Sequence, residues 1–145
     1  MHFRSLVVRS DRLPTTTQVV DFARQFGIDV RFDDGFDFRT NPKNRTGRVG
    51  IRLDGDYKEF GYAIDPLELL IDDHELPPEL AEHGDVFVTF AVPGGLQKVI
   101  AAAERQFAIL SEAHGWREDK LIQPDAVADE AEKLLASKGT QTSNA

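Results

Sequence analysis

The sequence predicts an α+β fold, with a single-layer, largely antiparallel sheet of about five strands and helices packed mainly on one face. Two alternating runs meet at Asp54-Gly55, a dipeptide that favours a tight hairpin because both turn positions need positive φ. Residues 85–92 are apolar on both faces, which is typical of a covered central strand. The 145-residue length indicates one domain, predicted over residues 1–138, followed by a disordered tail at 139–145.

The N-terminal part predicts a strand, a helix and a second strand. Residues 2–9 contain an apolar run and form the first predicted strand. Thr15 followed by Gln18 has the spacing of a capping box, so a helix is expected to begin there and to end at Gly27. Apolar and charged residues then alternate over 28–32, as in a half-buried strand.

The middle of the chain predicts a hairpin followed by short helical turns. The hairpin strands are expected at about 49–53 and 58–64, where apolar residues alternate. Asp65-Pro66 then provides a capping side chain and a proline suited to a first helical position. Pro77-Pro78 begins a second helical turn, and Leu80 is its predicted anchor in the core.

The C-terminal part predicts a strand and two helices. Pro93-Gly94-Gly95 ends the central strand, and the longest helix is expected from about 95 to 114, with Gly115 after it. A short edge strand is possible at 120–122. A last helix then begins at Gln123-Pro124-Asp125.

Charge is distributed unevenly along the chain, whose net charge is −8. Residues 1–58 contain eleven Lys or Arg and eight Asp or Glu, whereas residues 59–145 contain six and seventeen. Between Glu59 and Gln97 there are nine carboxylates and no Lys or Arg. Binding of nucleic acid is disfavoured, because affinity for phosphate backbones depends on clustered basic residues.

Eight of these nine carboxylates fall in one stretch, DPLELLIDDHELPPELAEHGD, which we call the acidic segment (residues 65–85). Helix capping explains Asp65 and Glu68, but it explains the other carboxylates less well. Three interpretations are open: a solvated surface, a metal site, or a docking face for a basic protein surface. The docking interpretation predicts these partner-binding residues: Asp65, Glu68, Asp72, Asp73, Glu75, Glu79, Glu82, Asp85, Leu69 and Leu76.

Metal and cofactor sites are not predicted. His74 and His83 are the best metal-ligand types, but their spacing matches neither a zinc helix pair nor a calcium loop. Pro93-Gly94-Gly95 could hold an anion through backbone N–H groups, although no phosphate-binding motif accompanies it. An alternative function is therefore a small enzyme with an anion-binding pocket at residues 93–95, near His114. A further alternative is a self-associating scaffold module.

No feature of the sequence predicts a membrane or secretory segment. The N-terminus offers only the apolar run Leu6-Val7-Val8, well short of the roughly 7–15 residues of a signal peptide. The absence of cysteine fits a reducing compartment. We expect a cytoplasmic protein without membrane or nucleic-acid partners.

Roughly residues 57–138 resemble a group of small bacterial α+β proteins. The similarity rests on YKEFGYAIDP, on DVFVTFAVPGGLQKVIAAAERQFAILSEAHG and on WREDKLIQPDAVADEAEKLL. Several such acidic proteins are immunity proteins of polymorphic toxins, which are delivered by contact-dependent inhibition or type VI secretion. The resemblance implies that the chain binds and neutralises a cognate toxin with a basic active-site surface. No toxin-binding residue is implied by it.

Overall fold

The computed structural model describes residues 2–39 and 45–137. Two short 3-10 turns, Ser10–Arg12 and Pro78–Glu82, accompany the regular elements. In chain order these elements are β1 (His2–Val8), α1 (Thr16–Arg24), β2 (Val30–Phe32), β3 (Arg45–Leu53), β4 (Asp56–Pro66), α2 (Leu67–Asp72), β5 (Val86–Val92), α3 (Gln97–Ser111), β6 (His114–Arg117), β7 (Lys120–Ile122) and α4 (Pro124–Ala136). The predicted tail at 139–145 lies outside the described residues.

Within the described residues, seven strands form one sheet in the order β2-β3-β4-β5-β1-β6-β7. Every neighbouring pair is antiparallel, which confirms the predicted α+β class and antiparallel sheet. The estimate of about five strands was too low. The edge strand proposed at 120–122 is confirmed as β7, and it forms a hairpin at one edge of the sheet with β6, which was not predicted. Each strand of that hairpin has only three or four residues, too few for a clear alternation of apolar and polar residues.

Local sequence signals explain several of the element boundaries. The Thr15 hydroxyl accepts a hydrogen bond from the Gln18 backbone, and the Gln18 side chain accepts one from Thr15 N–H, which confirms the capping box. Asp54 and Gly55 both have positive φ at the β3–β4 turn, as the hairpin motif requires. Helix α3, in contrast, ends at Ser111 rather than near 114, because Glu112 adopts the left-handed conformation.

The main core lies on one face of the sheet. Alternate strand residues such as Leu6, Val88 and Phe90 are fully buried there. Helices α1, α3 and α4 contribute side chains to the same core, and Phe107 of α3 lies 6.0 Å from Phe90 between ring centroids. This pairing of helices with a sheet face removes the apolar side of each element from water.

A smaller core lies on the opposite face of the sheet. Val7 is fully buried although it alternates with Leu6 and Val8, so its side chain belongs to the other face. Leu67 of α2 and Leu80 of the second 3-10 turn bury against it, which confirms Leu80 as an anchor. The expectation that helices pack mainly on one face therefore does not describe α2.

Candidate functional site

The acidic segment spans the smaller core and is fastened to the sheet at both ends. Leu67 N–H donates a 2.9 Å hydrogen bond to the Asp85 carbonyl, so the two ends of the segment meet. Asp85 N–H donates to the carbonyl of Val8 in β1, also at 2.9 Å. Gly84 packs so closely on Val8 that a side chain there would collide with backbone atoms. The segment is thus held in one position by backbone contacts.

Apolar side chains anchor the acidic segment further. Leu67 and Leu80 are 1% and 2% exposed, and burying such a side chain contributes about 1.5–3 kcal/mol. Partly buried residues complete this smaller core: Ile71, Leu76, Phe87, Trp116 and Leu121. Because its apolar residues face the sheet, the segment turns its carboxylates to the solvent.

Most of the predicted partner-binding carboxylates are solvent-exposed. Asp65, at the end of β4, is half-buried and does not cap α2 as predicted, because the N-cap residue is Pro66 and no side-chain cap hydrogen bond is formed. The exposed carboxylates are Glu68, Asp72, Asp73, Glu75, Glu79, Glu82 and Asp85. Apart from Asp85, none of the eight forms an ion pair within the described part of the chain. Arg9 is a nearby cation, but it donates to the Glu82 backbone carbonyl at 3.4 Å rather than to the carboxylate.

The carboxylates at the end of α2 do not serve helix stability. Asp72 is the last helical residue and Asp73 caps the C-terminus, where the negative helix end repels anions. His74 has φ of +61°, and the N–H groups of Glu75 and Leu76 turn back to the Leu70 carbonyl. No basic residue lies in the last turn. A role in folding therefore does not account for this negative charge.

Two of the predicted site residues, Asp85 and Leu76, have structural contacts. Both Asp85 oxygens accept hydrogen bonds from Ser10, at 2.7 Å from N–H and 2.6 Å from the hydroxyl, so Asp85 holds the first 3-10 turn. Leu76 is half-buried against the smaller core, as described above. Leu69 is 53% exposed and remains available for contact. Leu80, the predicted anchor, is too deeply buried to reach a partner.

Two grooves flank the second 3-10 turn of the acidic segment. One, of about 320 Å³, has apolar walls that include Leu67 and Ile71 and carries the Glu68 carboxylate. The other, of about 450 Å³, runs between the 3-10 turn and the β6–β7 hairpin and is lined by Glu79, Trp116 and Asp119 among others. Long basic side chains suit such sites, since their stems pack on apolar walls while their charged ends meet carboxylates.

The second groove contains residues that the sequence analysis did not assign to a site. Asp119 lies on the β6–β7 turn with φ of +59°, and it extends the negative surface beyond the acidic segment. Trp116 is half-buried and is the type of residue that often dominates binding energy. The residues before Lys120, Arg117-Glu118-Asp119, predict a turn only weakly. Nothing local indicates that this turn lies beside Glu79.

A histidine pair links the acidic segment to the sheet. The rings of His83, after the 3-10 turn, and His114, in β6, have centroids 4.2 Å apart. Burial lowers the pKa of His114, and the neighbouring His83 lowers it further. His114 was predicted to lie at the end of α3, but it lies in β6 and pairs with Val7.

The other sequence candidates are not brought together. His114 lies level with the beginning of β5 on the other side of β1, whereas Pro93-Gly94-Gly95 follows the end of β5, about 20 Å away along the strand direction for six strand residues. The Gly95 N–H already donates to the Gln97 side chain at 3.1 Å. Within the described residues, no group of three or more His, Asp or Glu side chains could hold a metal ion.

Comparison with known proteins identifies no family to which this chain could be assigned. The chain matches no protein-family model, no curated protein and no solved structure. In the part of the chain that the structure describes, no helix has the length and apolar character needed to cross a membrane.

Proposed function

We propose that this chain is an immunity protein that binds and neutralises a cognate bacterial toxin through the acidic segment. The partner is a toxin domain with a basic active-site surface, such as that of a nuclease. The toxin belongs to a contact-dependent or type VI secretion system, and the complex forms in the cytoplasm. The carboxylates take the positions that substrate phosphates otherwise occupy.

The observation that carries the proposal is a set of six exposed carboxylates that form no ion pair among the described residues and are fixed on a buried apolar base: Glu68, Asp72, Asp73, Glu75, Glu79 and Glu82. A fixed array of like charges creates a potential that steers a basic partner and sets its orientation. Because Leu67 and Leu80 already hold the segment, binding requires little additional ordering of the backbone. Pre-organisation of this kind favours tight binding.

The grooves support a specific mode of contact. A lysine or arginine of the toxin enters the groove at Glu68 with its stem against Leu67 and Ile71. A second basic side chain enters between Glu79 and Asp119, where Trp116 supplies an apolar contact. Charge steering speeds association, and these desolvated contacts slow dissociation.

The direct test is relief of toxicity in cells. We expect the reading frame immediately upstream to encode a long secreted protein with a variable C-terminal domain. Expression of that domain is expected to arrest growth, and co-expression of this chain is expected to restore it. A neighbour of another kind, or growth arrest that the chain does not relieve, would refute the proposal. Pull-down of the purified domain separates direct binding from an indirect effect.

A further inference from the structure

A network of charged residues lies far from the acidic segment. Arg4 Nε, in β1, donates to both oxygens of Glu104 in α3, at 3.2 and 3.1 Å. Arg117 Nη2, at the end of β6, donates to both oxygens of Glu130 in α4, at 3.0 and 2.9 Å. Arg4 Nη2 lies 3.8 Å from Glu130, which joins the two pairs. The proposed function assigns no role to this network.

Glu104 is buried in helix α3, where most of the buried residues are apolar. It is 4% exposed and follows Ala101, Ala102 and Ala103, all of which are buried. Burial raises the pKa of Glu104, while the Arg4 guanidinium opposes the shift. A buried carboxylate lowers the stability of the fold unless it is paired, so the free energy of this ion pair holds Arg4 beside Glu104. The guanidinium of Arg4 consequently has a fixed orientation.

The hydrogen bonds of the network leave donors in excess. Both oxygens of Glu104 and both of Glu130 already accept hydrogen bonds. Each guanidinium has five N–H donors, and Nη1 of Arg4 and of Arg117 has no acceptor among the described residues. The network can therefore still receive an anion, whereas its carboxylates are occupied.

Arg4 and Arg117 line a cleft with largely apolar walls, together with Glu104, whose carboxylate is already paired with Arg4. The cleft has a volume of about 330 Å³ and is formed where β1 begins and where β5 and β6 end. Its walls include Ile100, which is 1% exposed, together with Phe3 and Leu134. Phe3 and Leu134 are unusually exposed for large apolar residues, at 67% and 40%. A wall of this kind fits an apolar group that would cover both side chains.

We infer that this cleft binds a small carboxylate with an apolar tail, whose charged end meets Arg4 and Arg117 and whose tail covers Phe3 and Leu134. The volume corresponds to roughly ten water molecules, which limits the ligand to the size of a medium-chain acid. The site is distinct from the acidic segment and does not depend on the immunity function. It lies beside Gln97 at the beginning of α3, but its donors are side chains rather than the N–H groups of residues 93–95.

Octanoate is a suitable probe for the full chain, with butyrate and octylammonium as controls for the tail and for the sign of the charge. Calorimetric titration is expected to give saturable binding of one octanoate, at least about tenfold tighter than either control. A charge-assisted hydrogen bond corresponds to about tenfold or more in affinity, so Arg117→Gln is expected to lose that amount. Leu134→Ser is expected to weaken octanoate binding while leaving the arginines intact.

Arg105→Gln is the matched control, because Arg105 forms a comparable ion pair with Glu132 of α4 but does not line the cleft. Amide chemical shifts are expected to move at Phe3, Ile100 and Leu134 in the wild-type chain. Equal binding of octylammonium, unchanged affinity in Arg117→Gln, or shifts scattered over the surface would overturn the inference. Arg4 is left unchanged because its replacement would leave the buried Glu104 carboxylate without its ion-pair partner.

Discussion

Reversal of three charges at the C-terminal end of α2 tests the docking surface directly. The variant carries Asp72→Lys, Asp73→Lys and Glu75→Lys. All three side chains are exposed and form no ion pair among the described residues, so their replacement removes no described salt bridge. The variant therefore changes the surface potential without replacing any residue of the core.

The effect on folding is expected to be small and slightly favourable. Lysine near the negative end of a helix contributes about 0.3–1 kcal/mol per charge, and α2 has only six residues. A change of 1 kcal/mol shifts the melting temperature by about 2–4 °C for a chain of this size. The lower end of that range of free energy suits a helix of only six residues, so three lysines contribute about 1 kcal/mol in total and the melting temperature is expected to rise by no more than about 4 °C.

The effect on association is expected to be large. Steered complexes associate at about 10⁸–10⁹ M⁻¹s⁻¹ at low salt, against about 10⁵–10⁶ M⁻¹s⁻¹ without steering. Reversal of three charges is expected to slow association with the toxin domain by about tenfold or more. The difference should shrink as salt is raised, because the Debye length falls from about 10 Å at 0.1 M to about 3 Å at 1 M.

Stopped-flow association at low and high salt measures this effect. The matched control reverses Asp29, Asp34 and Asp56, which are also exposed but flank β2 and begin β4, at the other edge of the sheet. Both triple variants change the net charge equally. If the two variants slow association to the same extent, net charge rather than the acidic segment drives binding, and the site assignment is wrong. An unchanged rate in the first variant would contradict it as well.

Three further predictions concern folding. The pKa of His114 is lowered in the folded state, so as pH falls below 6.5 the His114 imidazole is protonated in the unfolded chain before it is protonated in the folded one. The free energy of unfolding should therefore decrease below that pH. Urea titrations at several pH values should show that His114→Gln lacks this part of the pH dependence. Arg4→Met should lower the free energy of unfolding by about 3–5 kcal/mol by leaving Glu104 unpaired, and the added change Glu104→Leu should restore most of it; a double variant as unstable as the single one would contradict this account. Gly84→Ala should lower the free energy of unfolding by about 1–3 kcal/mol, because its Cβ meets the Val8 backbone; an unchanged urea midpoint would show that the acidic segment can move away from β1.

Some of the fold could be predicted because its signals are local. The capping box at Thr15 fixes the beginning of α1 through contacts only three residues apart. Asp54-Gly55 determines the β3–β4 hairpin through the φ values of two adjacent residues. The acidic segment was also visible in the sequence, because its charged residues lie close together along the chain. The function and the partner remain proposals.

Other features could not be predicted because they join distant residues. Glu104 lies at helical spacing from Ile100 and Phe107, so its inward position was in principle readable, but its partner Arg4 is 100 residues away. The position of Asp119 beside Glu79 likewise depends on where the β6–β7 hairpin joins the sheet. Such contacts follow from strand order, which short-range periodicity does not encode.

The sequence by itself determined most of the periodic elements, the capping box of α1 and the concentration of negative charge in residues 65–85. Tertiary structure decided which face each element covers: Val7 faces the smaller core, while its neighbours Leu6 and Val8 face the main one. The physical reason is that burial of an alternating strand depends on what packs above and below the sheet. Only the pairing of β1 with β5 and β6 placed the acidic segment over one face and opened the arginine-lined cleft at the end of the sheet.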